Sequence, residues 1–219
     1  MTATKKPKKI RQPQAFWVRA VHAPQAMQIK ITLLDVTPPV WRRFLIPNEF
    51  TVADLRLAVQ IVMGWQDSHL DQFTIGRDRY DVQQFEMSPD FEGESAKDGR
   101  TAVLAYTLPQ PGTSFLYTYD FGDSWEHELV VEKLLPIEPG KAYPRCLEGA
   151  RACPPEDTGG SWGYAELLEI LADPKHPEYE ERLEWLGEKF DPEKFSIRAV
   201  NGQLNRRFKP YHVRKAKKL

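Results

Sequence analysis

The stretch "FLYTYDFGDSWEHELVVEK", residues 115–133, decides the fold. Phe115, Tyr117 and Tyr119 fall on one side of an extended chain. Trp125, His127, Leu129 and Val131 do the same after the break at "FGDS" (121–124), with Glu126, Glu128 and Glu132 opposite them. Two alternating runs joined by a short Gly- and Asp-containing turn predict an antiparallel hairpin with one apolar face. The same period appears upstream in "MQIKITLLD" (27–35), where Met27, Ile29, Ile31 and Leu33 share a face. Pro38 and Pro39 end that strand, and "VWRRFLI" (40–46) reads as the next. "LDQFTI" (70–75) and "RYDV" (79–82) predict a second hairpin around Gly76 and Asp78.

Helical spacing is clearest in "TVADLRLAVQIVMGW" (51–65). Val52, Leu55, Val59 and Val62 make its stripe, Thr51 and Asp54 stand in capping-box positions, and Gly64 stands where a C′ glycine belongs. Further helices are expected over 162–172, from Pro177 to Gly187, and over 192–208. Residues 83–100 read as a polar loop, and 101–108 fits helix and strand alike. Strands dominate the first 135 residues and helices the last 60. The expected fold is α+β, a single compact domain with a mainly antiparallel sheet, helices after strand 2 and at the C-terminal end, and basic arms on either side.

His127 is the first candidate for chemistry. The alternation turns it inward, where an imidazole must satisfy two nitrogens. It reads either as a core histidine bonded to a carbonyl or carboxylate, or as a metal ligand or acid–base group. Asp120 and Asp123 stand at the turn leading into its strand, so catalytic candidates are Asp120, Asp123 and His127. "CLEGARACPPEDTGGSWGY" (146–164) carries both cysteines, and its Pro-Pro and Gly-Gly pairs predict an ordered loop across the same end of the sheet. Cys146 and Cys153 read as metal ligands, with zinc the expected ion, or as small buried hydrophobes. "DFG" at 120–122 matches the kinase triplet by letters only, since no Gly-rich phosphate loop and no His-Arg-Asp loop accompany it.

The formal charge of −1 conceals a segregation. Of 30 Lys and Arg, seven lie in residues 1–34 and nine in 194–219, where no acid occurs. The remaining 14 face all 31 Asp and Glu between residues 35 and 193, a formal −17. Residues 1–26 and 209–219 are read as basic arms, with Lys5, Lys6, Lys8, Lys9, Arg214, Lys215, Lys217 and Lys218 the candidate contacts to nucleic acid. The alternative is that the arms solubilise the chain or pair with its acidic body. No run approaches the roughly 20 apolar residues of a membrane span, and the first residues lack the apolar segment of a secretory signal. A cytoplasmic protein with no membrane partner is expected.

Taken together, "ITLLDVTPPVWRRFLIP", "TVADLRLAVQIVMGW" followed by His69-Leu70, "YTYDFGDSWEHELVVE" and "CPPEDTGGSWGY" resemble the plasmid pRiA4b ORF-3-like family, over about residues 27–208. The resemblance implies a compact α+β domain found in prokaryotes and on mobile elements. It names no reaction. It also adds His69 to the metal candidates, which become His69, His127, Cys146 and Cys153. Family members typically carry His where this chain has Asp71, and often Cys where it has Thr158. The expected function is a binding or adaptor module associated with mobile elements, contacting nucleic acid through its arms or a protein partner. The alternative is a metal-dependent hydrolase with a His/Asp/Cys site at the sheet end.

Overall fold

Alternation along the chain becomes a single eight-stranded sheet in the computed structural model, which describes residues 24–82, 96–187 and 190–208. Its elements are β1 (Gln25–Leu33), β2 (Trp41–Pro47), α1 (Val52–Met63), β3 (Asp71–Ile75), β4 (Asp78–Asp81), β5 (Lys97–Asp98), α2 (Leu104–Thr107), β6 (Ser114–Tyr119), β7 (Trp125–Pro136), β8 (Arg145–Ala150), α3 (Gly160–Ala172), α4 (Tyr179–Leu186) and α5 (Ile197–Arg207). The strand order is β5-β4-β3-β6-β7-β1-β2-β8. Every neighbour pair is antiparallel except β4 and β5. The α+β reading holds. Residues 1–23 of the N-terminal arm, the 209–219 arm and most of the 83–100 loop lie outside the described residues, and the arm boundary at residue 26 is corrected, since Gln25 and Ala26 already belong to β1 and Ala26 is buried.

The 115–133 hairpin forms as read, with Tyr117 opposite His127 and Tyr119 opposite Trp125. Met27, Ile29, Ile31 and Leu33 of β1 are buried with Phe115, Tyr117, Leu129 and Val131 in one cluster. The stripe of α1 (Val52, Leu55, Val59, Val62) joins them, as do Tyr164 and Leu167 of α3 and Leu204 of α5. Burial of this apolar surface is the main stabilising term, at roughly 25 cal/mol per Å². The capping box of α1 is complete: Asp54 N donates to Thr51 Oγ1 (3.2 Å), and Thr51 N donates to Asp54 Oδ2 (2.9 Å). Gly64 closes the helix in the left-handed region, φ 114°.

Two further expectations need correction, and one open reading is resolved. Cys146 lies on strand β8, not in a loop, and pairs with Phe44 of β2. Helix α3 starts at Gly160, ahead of the expected residue 162, so Ser161, a capping residue type, lies inside it, with Gly159 (φ 89°) at the cap and no side-chain capping bond. Residues 104–107 settle as a short helix. The irregular stretch thus shrinks to residues 151–159.

Arg42, read only as part of a strand, is buried and uses all five guanidinium N–H groups on main-chain carbonyls. Nε donates to Val62 O (2.8 Å), Nη1 to Trp41 O and Ala150 O (2.8 and 2.6 Å), and Nη2 to Met63 O and Arg151 O (3.2 and 2.7 Å). Its plane stacks on Phe195, 4.0 Å away. Burial pushes its pKa down to about 10. It therefore ties β2, the C-terminus of α1 and the start of the 151–159 loop together.

Candidate functional site

Three chain segments meet at the end of the β6–β7 hairpin. The first is the turn itself. Asp120 adopts a left-handed backbone (φ 56°), a conformation that Asp and Asn tolerate better than most residues. Its N–H donates to Leu70 O (2.8 Å), and Gly122 N donates to its Oδ1 (2.9 Å). Asp120 is only 8% exposed, and its other carboxylate oxygen stands 3.6 Å from His69 Nδ1.

The second segment runs from α1 into β3. Ser68 N donates to Tyr119 Oη (3.1 Å), and the His69 ring meets Tyr119 edge-on at 5.8 Å. The third is the 151–159 loop. Tyr119 Oη donates to Glu156 Oε1 (3.0 Å), and Gln66 N donates to the same oxygen (2.7 Å). Burial pushes the Tyr119 phenol up to about 12, so it remains the donor. Asp123 Oδ2 accepts from Gly159 N (2.9 Å), which docks the start of α3 against the turn.

These anchors bring acids from two segments onto one imidazole. Asp157 Oδ1 lies 3.2 Å from His69 Nε2, and Glu156 Oε2 lies 3.7 Å from it. One ligand atom each from His69, Asp120 and Asp157 falls within 4.8 Å of the others. Both His69 Nε2 and Glu156 Oε2 are buried without a hydrogen-bond partner. Two orphaned polar atoms side by side are costly unless something occupies the space between them. Donor atoms spaced this way need only a small contraction to reach a cation at about 2.0–2.2 Å.

The structure separates the expected cysteine–histidine set. His127 is fully buried, with both nitrogens taken: Nδ1 stands 3.1 Å from Tyr117 O, and Trp65 Nε1 donates to Nε2 (3.1 Å). The indole donor fixes Nδ1–H as the protonated nitrogen. Burial depresses its pKa to about 4. His127 is the core histidine of the two readings, and neither nitrogen is left for a metal or a substrate. Cys146 is buried on β8, with β1 and β2 lying between it and β7, hence about 14 Å away across the sheet at the usual strand spacing. Its Sγ contacts Arg43 O and Glu148 O, both at 3.6 Å. Cys153 packs beside Gly64. Burial raises both thiols, Cys153 far more, so neither is an activated thiolate. Asp71 is also committed elsewhere, its Oδ2 2.6 Å from Arg56 Nε.

Of the sequence candidates, then, His69 and Asp120 converge, Asp123 positions the loop, and His127, Cys146 and Cys153 belong to the core. Glu156 and Asp157, absent from the site candidates above, join them beside His69; their signal in the sequence is a Glu-Asp pair held between Pro154-Pro155 and Gly159-Gly160.

The fold and site define an α+β protein with one histidine and three carboxylates gathered at the end of an antiparallel sheet. The chain belongs to the plasmid pRiA4b ORF-3-like protein family, whose model matches residues 25–199. It is similar to the uncharacterized protein y4hQ of Sinorhizobium fredii (strain NBRC 101917 / NGR234), 40% identical over 163 residues that cover 74% of this chain and 80% of the relative. The crystal structure of the protein of unknown function MM3350 from Methanosarcina mazei Go1 has the same fold: TM-score 0.70, 38% identity, 80% of this chain and 97% of that one covered.

Proposed function

We propose that the protein is a divalent-cation-dependent binding protein whose centre is formed by His69, Asp120 and Asp157, with Glu156 beside it. The observation that carries this is the convergence of one ligand atom each from His69, Asp120 and Asp157 within 4.8 Å, with His69 Nε2 buried without a hydrogen bond beside the carboxylates of Glu156 and Asp157. One imidazole and carboxylate oxygens suit Mn²⁺, Zn²⁺ or Mg²⁺, whereas a thiolate-rich structural zinc site would need the cysteines that lie elsewhere. Three protein donors leave a coordination position for an outside ligand, the arrangement that metal-assisted hydrolysis also requires.

Calorimetric titration with Mn²⁺ and Zn²⁺ tests it. Wild type should bind about one equivalent. His69→Ala and Asp120→Asn should each lose at least about tenfold in affinity, while Cys153→Ser should keep it. A wild-type protein that takes up neither ion sinks the proposal.

A second reading rests on a separate observation, the acid-free basic ends of an otherwise acidic chain. These ends would contact nucleic acid without sequence preference. The two readings are compatible, since they use different parts of the chain.

A further inference from the structure

Two tryptophans stand in water on adjacent helices. Trp162 of α3 is 89% exposed and Trp185 of α4 is 46% exposed. Helix α4 buries none of its residues. Large aromatic side chains left in water on one face mark a surface that another segment covers.

Helical spacing gathers acids around both indoles. Trp162, Glu166 and Glu169 stand at i, i+4 and i+7 along α3, all three exposed. Glu178, Glu181 and Trp185 stand at i, i+3 and i+7 along α4 and its N-cap. Between the helices Glu166, Leu167, Trp185, Arg182 and Asp157 line a cavity of about 100 Å³. Residues 156–187 carry nine acids against two cations, Lys175 and Arg182. Arg182 is already paired, its Nη2 donating to Glu178 Oε2 (3.1 Å). Its Nε is buried without an acceptor, a donor that a main-chain carbonyl would satisfy. Indole faces among carboxylates attract an ammonium or guanidinium, through the ring quadrupole and the local charge together. The face therefore suits a basic peptide segment.

The chain itself carries one. Residues 1–23 hold Lys5, Lys6, Lys8, Lys9, Arg11 and Arg19 and no acid. They lead into Gln25, which pairs with Pro136 at the end of the sheet away from the β6–β7 turn. Helix α3 starts beside that turn, where Gly159 N donates to Asp123 Oδ2. The nine residues of β1 cover about 30 Å of this separation. From Arg11 to Gln25 the chain spans up to about 48 Å when extended, so the lysines before Arg11 reach the face.

We propose that residues 1–23 dock on the α3–α4 face of their own chain, with lysine ammonium groups among Glu166, Glu169, Glu178 and Glu181 and against the two indoles. The docking is independent of the cation centre. Its consequence rests on the second reading above: the face competes with nucleic acid for the same cations.

Carbodiimide coupling of the full chain, read by mass spectrometry, tests the docking. Lys5, Lys6, Lys8 and Lys9 should couple chiefly to the acids of α3 and α4 at low salt. The yield should fall at least about threefold at about 0.5 M salt, where exposed charges are screened. In a mixture of light and heavy-isotope chains, coupled pairs should carry one label. Mixed pairs would put a second copy in place of the chain's own segment, and coupling spread evenly over the acidic body, or made by Lys215, Lys217 and Lys218 instead, would overturn the docking.

Two variants add independent readouts, with the urea midpoint of each confirming its fold. In Glu166→Gln/Glu169→Gln/Glu181→Gln, trypsin should cut within residues 1–23 at least about threefold faster than in wild type. Trp162→Ala/Trp185→Ala leaves the charge unchanged and should shift the rate in the same direction; unchanged rates in both variants sink the docking. Affinity for a labelled duplex at low salt should rise in both. Equal affinity overturns the competition. If neither wild type nor variants bind the duplex, the second reading is wrong, and the coupling pattern still decides the docking.

Discussion

His127 shows how much a single residue can disclose before its neighbours are known. Alternation alone placed it inward, because a strand sends every second side chain to the same face. What satisfies it was not legible. The indole of Trp65 is 62 positions away in the chain and meets the imidazole only once α1 packs on the sheet. The pairing has a pH signature. In the unfolded chain the imidazole takes a proton below about pH 6.5, while in the fold it resists until about pH 4. The unfolded state therefore binds more protons between these values, and stability falls as pH drops through that window, by about 3 kcal/mol in all. The stability gap between wild type and His127→Phe, measured by urea denaturation, should narrow by about that amount from pH 7 to pH 4. A gap independent of pH would mean that the histidine is not buried neutral. On the outer face, Glu128→Ala should stay within about 0.5 kcal/mol of wild type.

Among the elements, those with strong local signals were the readable ones. The capping box and terminal glycine of α1 announce its limits within one residue. Strand β8 gave no such notice, because its sequence "RCLEGA" carries no alternation and its support is external. On one side it pairs with β2, and on the other the Asn201 side chain of α5 stands in for a neighbouring strand: Cys146 N donates to Oδ1 (2.8 Å) and Nδ2 donates to Cys146 O (2.9 Å). Helix α3 was readable in extent but not in how closely it meets the loop before it. A Cβ added at Gly163 would lie 1.9 Å from Thr158 O, and one at Gly160 would lie 2.6 Å from Asp123 O. Gly163→Ala must push the loop away from the helix. It should cost at least about 2 kcal/mol by thermal or chemical denaturation. It should also weaken Mn²⁺ binding, since Asp157 is the residue next to Thr158. Normal stability together with normal Mn²⁺ binding would refute this account of the loop.

At the scale of the molecule, charge is laid out by position in the chain. An acidic body repels a polyanion, so any nucleic acid must be held by the basic ends, and each phosphate neutralised contributes a salt slope of about −0.9 on a logarithmic plot. Binding of a labelled duplex by the full chain should be micromolar or weaker near physiological salt and should tighten steeply below it. A chain trimmed to residues 24–208 should lose that binding, and retained affinity would move the contact onto the body. Composition reveals this segregation directly. It cannot reveal whether the ends pair with the body instead, because that depends on distances the sequence does not hold.

Arg42 sets a limit on how the site can breathe. Its five donors close carbonyls from β2, from the end of α1 and from residues 150 and 151, where the loop begins. Opening any one of these segments strands charge-assisted bonds in the other two, so none has a cheap excursion of its own. Amide hydrogens of residues 151–159 with structural partners should therefore exchange with solvent on the same slow clock as the last turn of α1, by rare concerted opening in place of local fraying. Arg42→Lys, with three donors on a single nitrogen, would cut the tie. Exchange in the loop would then run ahead of exchange in the helix, and the carboxylates would spend part of their time away from His69.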